Sequence, residues 1–184
     1  LRNVVKAWKS ASRDHDIWIL ASPVHVEELG SLSLPSNIHL LSPGASLHSS
    51  ASAFIWTYVS LPSLIKRLQA EVLVSMHNLA PRINMCPTVL LVSNALYFSR
   101  IYEREIRGLD SRLYWDMRLR RLLVKQSMSA ADVVVTPTEA LKEEILRMCK
   151  LERERIRVAP WGVDSSIFRT LKRESTSIDG KANL

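Results

Sequence analysis

The chain has 184 residues, 47% of them apolar and 23% charged, with a formal net charge of +7. That composition excludes a disordered tail, a collagen-like rod and a low-complexity linker, and the length suffices for one domain with a sizeable core. Two cysteines, Cys86 and Cys149, leave no room for a disulfide framework or a four-cysteine zinc site, and read as reduced, buried thiols. The surplus of Lys and Arg suits an anionic partner without choosing among phosphate groups, lipid headgroups and nucleic acid.

Leu1 to Ser12 reads as a helix, with Val4, Val5 and Trp8 on one face. Asp16 to Ala21 and Asn37 to Leu41 read as strands, the second closed by Ser42-Pro43-Gly44. Leu29 to Ile65 carries no Asp, Glu, Lys or Arg, yet Pro35, Pro43, Gly44 and Pro62 break it, and no apolar run reaches the roughly 18 residues of a membrane span. Ser49 to Gln69 reads as mainly helical, with an interruption near Pro62. Glu71 to Met76 and Thr88 to Ser93 are the third and fourth strands. Ser99 to Met128 is one helix or two, Gly108 marking the break. Asp132 to Thr136 is a fifth strand, Thr138 to Lys150 a helix, and Ile156 to Ala159 a sixth strand.

The strands are continuously apolar, as in Val72-Leu73-Val74, Val89-Leu90-Leu91-Val92 and Val133-Val134-Val135. Such runs belong to parallel strands buried on both faces, and the intervening helices supply the crossovers. The fold class is therefore α/β: a Rossmann-like doubly wound parallel sheet, with six strands expected side by side. Ligands of such sheets bind outside the carboxyl ends of the strands.

The residues just past each strand are accordingly the candidates. His77 and Asn78 follow the third strand, and both offer donors and acceptors to a polyhydroxylated ligand. Ser93 and Asn94 follow the fourth. A hydroxyl and an amide there can grip sugar hydroxyls, or simply cap a loop. Thr138 follows the fifth, at a position that caps a helix and can also meet a ligand. Gly162 and Asp164 follow the sixth, where a tight turn explains both as well as a ligand does. Arg100 to Lys125 carries eight Arg or Lys and four Asp or Glu with Tyr102, Tyr114 and Trp115 among them. The acidic residues favour an ordinary solvated helix over a nucleic-acid surface, and leave open a peripheral contact with an anionic membrane. No Gly-rich phosphate loop, His-Glu-x-x-His or Gly-x-Ser-x-Gly occurs, and the five histidines lack metal-ligand spacing.

Two stretches taken together, Ala130-Ala131-Asp132-Val133-Val134-Val135-Thr136-Pro137-Thr138-Glu139 and Glu154-Arg155-Ile156-Arg157-Val158-Ala159-Pro160-Trp161-Gly162-Val163-Asp164 with Phe168, resemble the end of the N-terminal domain of family 4 glycosyltransferases. Pro87 to Phe98 looks like an earlier strand of that family, and Leu1 to Ala7 like its first helix. The resemblance implies the N-terminal half of a GT-B fold lacking its first strand over residues 1–168, with 169–184 a linker to a C-terminal donor-binding domain. It implies a retaining transferase that moves a sugar from a nucleotide-sugar donor to a glycan or lipid-linked acceptor. The donor enters as substrate, and no cofactor, metal or nucleic-acid partner is implied.

Under that resemblance Asn94, Ser93, His77, Asn78 and Thr138 are acceptor-side candidates. Gly162 and Asp164 fall near the interdomain cleft. The family's frequent His at the end of this strand is replaced by Ser93, which cannot titrate near neutral pH as an imidazole does. No residue is assigned as catalytic, and the segment alone is expected to be inactive. The implied setting is cytoplasmic, peripheral at the inner membrane face, on cell-envelope glycans. Two other readings fit the same residues: a non-catalytic α/β module binding an anionic partner, and a related GT-B sugar-nucleotide epimerase.

Overall fold

The computed structural model describes Val5, Trp8, residues 14–43 and residues 50–162. Val5 and Trp8 are helical, and the rest of the expected first helix lies outside the described residues, as do Asp164 and residues 169–184. The described strands are β1 (Ile17–Leu20), β2 (Ile38–Leu41), β3 (Leu73–Ser75), β4 (Thr88–Leu91), β5 (Val133–Thr136) and β6 (Ile156–Val158). Every pairing is parallel. The helices are α1 (Pro23–Gly30), α2 (Ser50–Ile55), α3 (Leu61–Leu68), α4 (Arg100–Leu109), α5 (Ser111–Ala130) and α6 (Glu139–Met148). Between parallel strands such helical crossovers are obligatory, and β1 to β2 is bridged by α1. The cue for α1 was local: Ser22 precedes Pro23 at the helix start and Gly30-Ser31 follows at its end.

The six strands do not form one sheet. They fall into a two-stranded sheet, β1-β2, and a four-stranded sheet ordered β3-β4-β5-β6. Both groups keep the all-parallel arrangement of a Rossmann-like sheet, and among the described residues β1 and β3 are edge strands.

Burial on both faces also needs correction. Leu90, Val134 and Ile156 lie in register across β4, β5 and β6, and each is fully buried. Val124 and Met128 of α5 and Leu141 and Ile145 of α6 pack on that same face. The opposite row, Val74, Val89 and Val133, is less covered, and Val74 is 50% exposed. A second cluster, Val5, Ile19, Ala21, Leu29 and Ile38, covers one face of β1-β2.

Two helix breaks differ from expectation. Pro62 sits at the start of α3 and does not end the helix. A π-helical turn, Trp56–Ser60, runs straight into α3 and absorbs the hydrogen bond that proline cannot donate. Gly108 lies inside α4, and the break falls at Asp110, whose extended backbone ends α4. Its Oδ1 accepts from the Arg112 and Leu113 N–H groups at 2.8 and 3.0 Å, so the acid caps α5. The two helices fold back on each other through Ile106, Tyr114 and Met117. Glu103 on α4 bonds Arg121 on α5 at 2.6 Å.

Candidate functional site

Since all four strands of the larger sheet point the same way, their carboxyl ends form one rim. Following the strand order, the rim carries His77 and Asn78, then Ser93 and Asn94, then Thr138, then Gly162. The sequence candidates that the structure describes are thus brought to one edge.

Asn78 organises the first half of this rim. Its backbone is left-handed, with φ 59°, a conformation Asn tolerates better than most residues. Its N–H donates to the Leu91 carbonyl at 3.2 Å, extending the β3-β4 ladder past the strand end. Its side-chain Oδ1 accepts from two consecutive amides, Ser93 N–H at 2.8 Å and Asn94 N–H at 3.1 Å. That oxygen is therefore occupied, while no partner is found for its Nδ2 among the described residues. Ser93 and Asn94 are held by their backbones, leaving the Ser93 hydroxyl at the rim.

Asn94 is half-buried, and its Oδ1 accepts from the Leu96 N–H at 3.1 Å, capping the short 3-10 helix Ala95–Phe98. Its Nδ2 and the second lone pair of Oδ1 remain for a ligand. Phe98 is fully buried in the main core and Tyr97 packs against it. Thr138 Oγ1 accepts from the Leu141 N–H at 3.2 Å and caps α6, while Thr136 Oγ1 donates to the Thr138 carbonyl at 3.3 Å. His77 is exposed. Gly162 is exposed as well, and an added Cβ there would meet open space, so close packing is not what a glycine serves at this position.

The Ala131-Asp132 part of the motif lies at the opposite, amino end of the strands. Asp132 Oδ2 accepts from the Thr88 N–H at 2.7 Å, and the Asp132 N–H donates to the Thr88 carbonyl at 3.0 Å. The acid stitches the start of β4 to the start of β5. Its work is structural.

Sequence reasoning missed a cavity of about 390 Å³ beyond the carboxyl ends of β1 and β2. Leu20 and Leu41 form its floor, and Trp56, Ser60, Ser63 and Arg67 line it from α3 and the π-helical turn before it. Their 3- and 4-residue spacing puts them on one helix face, a signal that was available.

The shifted titrations lie away from this rim. The Arg121 guanidinium bonded to Glu103 holds that carboxyl below its ordinary value. Burial pushes the Cys86 and Cys149 thiols up, so neither is an activated nucleophile. Among the described residues no group of three His, Cys, Asp or Glu side chains is placed to hold a metal, and no helix is long and apolar enough to cross a membrane.

The family model of Glycosyltransferase Family 4 matches residues 2–167 of the chain. No curated protein matches it.

Proposed function

Because the chain belongs to glycosyltransferase family 4, we propose that it forms the acceptor side of a two-domain enzyme. That enzyme moves a sugar, with retention, from a nucleotide-sugar donor to a glycan or lipid-linked acceptor. The observation carrying this reading is the single polar rim, where Asn78 clamps the Ser93 and Asn94 amides and leaves two amide Nδ2 groups and a hydroxyl for sugar oxygens. Few convergent polar groups above an apolar sheet are the usual composition of a small-ligand site. The cavity past the ends of β1 and β2, lined by Trp56 and Arg67, offers an apolar wall and a cation besides. Stabilisation of the departing donor phosphate, which retaining transfer needs, is assigned to no residue of this chain, and the nucleotide sugar is a substrate rather than a bound cofactor.

The test is sugar transfer by the full-length enzyme from a panel of nucleotide sugars. Asn94→Asp keeps the capping oxygen and removes the Nδ2 donor. It is expected to slow transfer about tenfold, the worth of one hydrogen bond to substrate, while the melting temperature stays put. Unchanged transfer removes Asn94 from the site. No transfer from any donor by the unaltered enzyme removes the transferase reading.

A further inference from the structure

The aim of the Asn94 side chain depends on a series of contacts that ends on α5. Its backbone N–H is held by Asn78, and its Oδ1 by the Leu96 N–H inside the 3-10 helix Ala95–Phe98. The direction of Nδ2 therefore follows the rotation of that short helix. Phe98, fully buried, fixes its depth. One buried anchor does not fix a rotation, and a second point is needed.

Arg121 supplies the second point. Its Nε donates to the Tyr97 carbonyl, and its Nη1 donates to Glu103 Oε2 at 2.6 Å. The neighbouring Arg120, bonded to Asp116 at 2.7 Å, interacts with the phenol of the same Tyr97. The Ser99 N–H donates to the Leu96 carbonyl at 3.3 Å, and Ser99 Oγ accepts from the Tyr102 N–H at 3.2 Å, so the 3-10 helix passes directly into α4, which carries Glu103. One rigid guanidinium plane thus joins the 3-10 helix, α4 and α5. The Arg121 side chain is only 11% exposed, and its Nη2 is buried with no partner among the described residues. An apolar side chain of similar length fills such a corner without stranding a donor. Stability alone does not account for an arginine here.

We propose that Arg121 is a positioning residue for the acceptor: through the Tyr97 carbonyl it sets the rotation of the 3-10 helix, and with it the aim of the Asn94 Nδ2. This rests on the acceptor-side reading of the rim and adds to it a residue that acts through another.

The experiment is steady-state transfer by the full-length enzyme, with the donor it uses from the nucleotide-sugar panel and octyl glucoside and octyl mannoside as acceptors, each substrate varied in turn. Hydrogen exchange at the Leu96 amide is followed in parallel. Arg121→Met is expected to raise the acceptor KM about fivefold, to leave the donor KM in place and to speed exchange at Leu96 about tenfold. A merely structural role lowers kcat as the folded fraction falls and moves neither KM. The double variant R121M/E103Q strands no carboxylate, so it gives the same KM change even where Arg121→Met folds poorly. In an Asn94→Asp background Arg121→Met has no further effect on the acceptor KM, because the residue it aims has lost its donor. An unchanged acceptor KM in both Arg121 variants, with Asn94→Asp impaired, overturns the proposal and leaves the acceptor-side reading standing. Additive effects of the Arg121 and Asn94 substitutions overturn it as well. Full transfer by Asn94→Asp, or none by the unaltered enzyme, removes that reading and the proposal with it.

Discussion

Asn78 offers the sharpest test of how the rim is held. Its Oδ1 is the acceptor for two half-buried amides, Ser93 and Asn94, and its backbone is left-handed. Asn78→Ala deletes the acceptor and places a side chain with no local polar compensation at φ 59°. Each amide left without its partner costs about 1 kcal/mol where water can partly replace it, and the backbone about 1 more, for a total of about 3 kcal/mol. Asn78→Gly loses the same two hydrogen bonds but relieves the backbone, so its cost is about 2 kcal/mol. Asn78→Asp keeps an acceptor in place and stays within about 0.5 kcal/mol of the parent. Urea unfolding gives the order, and hydrogen exchange at the Ser93 and Asn94 amides locates the effect. Equal stability of the Ala and Gly variants refutes the backbone part. A loss under about 0.5 kcal/mol in Asn78→Ala, with unchanged exchange at both amides, refutes the clamp.

At the other end of the sheet, Asp132→Ala strips the acceptor from the N–H of Thr88, which is 2% exposed, and is expected to cost about 2 kcal/mol in urea unfolding, while Asp132→Asn recovers most of it. Exchange at Ser93 and Asn94 should not change beyond the global loss, because the substitution sits at the far ends of the strands. Glu103 gives the pH dependence. Its folded carboxyl lies below the ordinary value because Arg121 binds the charged form. The stabilisation is therefore fully present above the unfolded carboxyl value of about 4.3 and is lost as pH falls through the lower folded one. Glu103→Gln is expected to cost about 2 kcal/mol near neutrality and nothing below the folded value, so the two unfolding profiles converge in acid. A constant gap across that range contradicts the pairing.

The strands were legible in the sequence because burial demands continuous apolar runs, and all six appear within a residue or two of their expected places. The parallel direction followed from the helical segments between them. Their distribution over two sheets was not legible. Val72-Leu73-Val74 has the composition of an interior strand, yet β3 is an edge, with Val72 and Val74 52% and 50% exposed. Apolar composition records that a strand favours cover, and neighbour identity is a long-range property that no local pattern carries. Helix α1 was missed because only three of its eight residues are Val or Leu and its periodicity is weak; its end signals alone marked it. The Asp110 cap was outranked by Gly108, although an acid two and three residues ahead of free N–H groups is the stronger stop-and-start signal.

At the rim the same distinction decides what a residue type can reveal. Asn78, Asn94 and Thr138 were picked because polar groups at strand ends are either ligands or caps, and for each the structure shows a capping or clamping oxygen already in use. This does not remove them from a ligand site. An asparagine whose Oδ1 is fixed on backbone amides has its Nδ2 aimed by the same geometry, so the structural bond orients the remaining donor and lowers the entropy lost when a ligand takes it. A threonine has no such second group: with Oγ1 accepting from Leu141, Thr138 keeps its hydroxyl hydrogen and one lone pair, both on the capping atom itself. The two asparagines are therefore the residues at which the cap-retaining Asp variants separate holding the loop from holding the acceptor, and Thr138 is the one at which the two roles share a single atom.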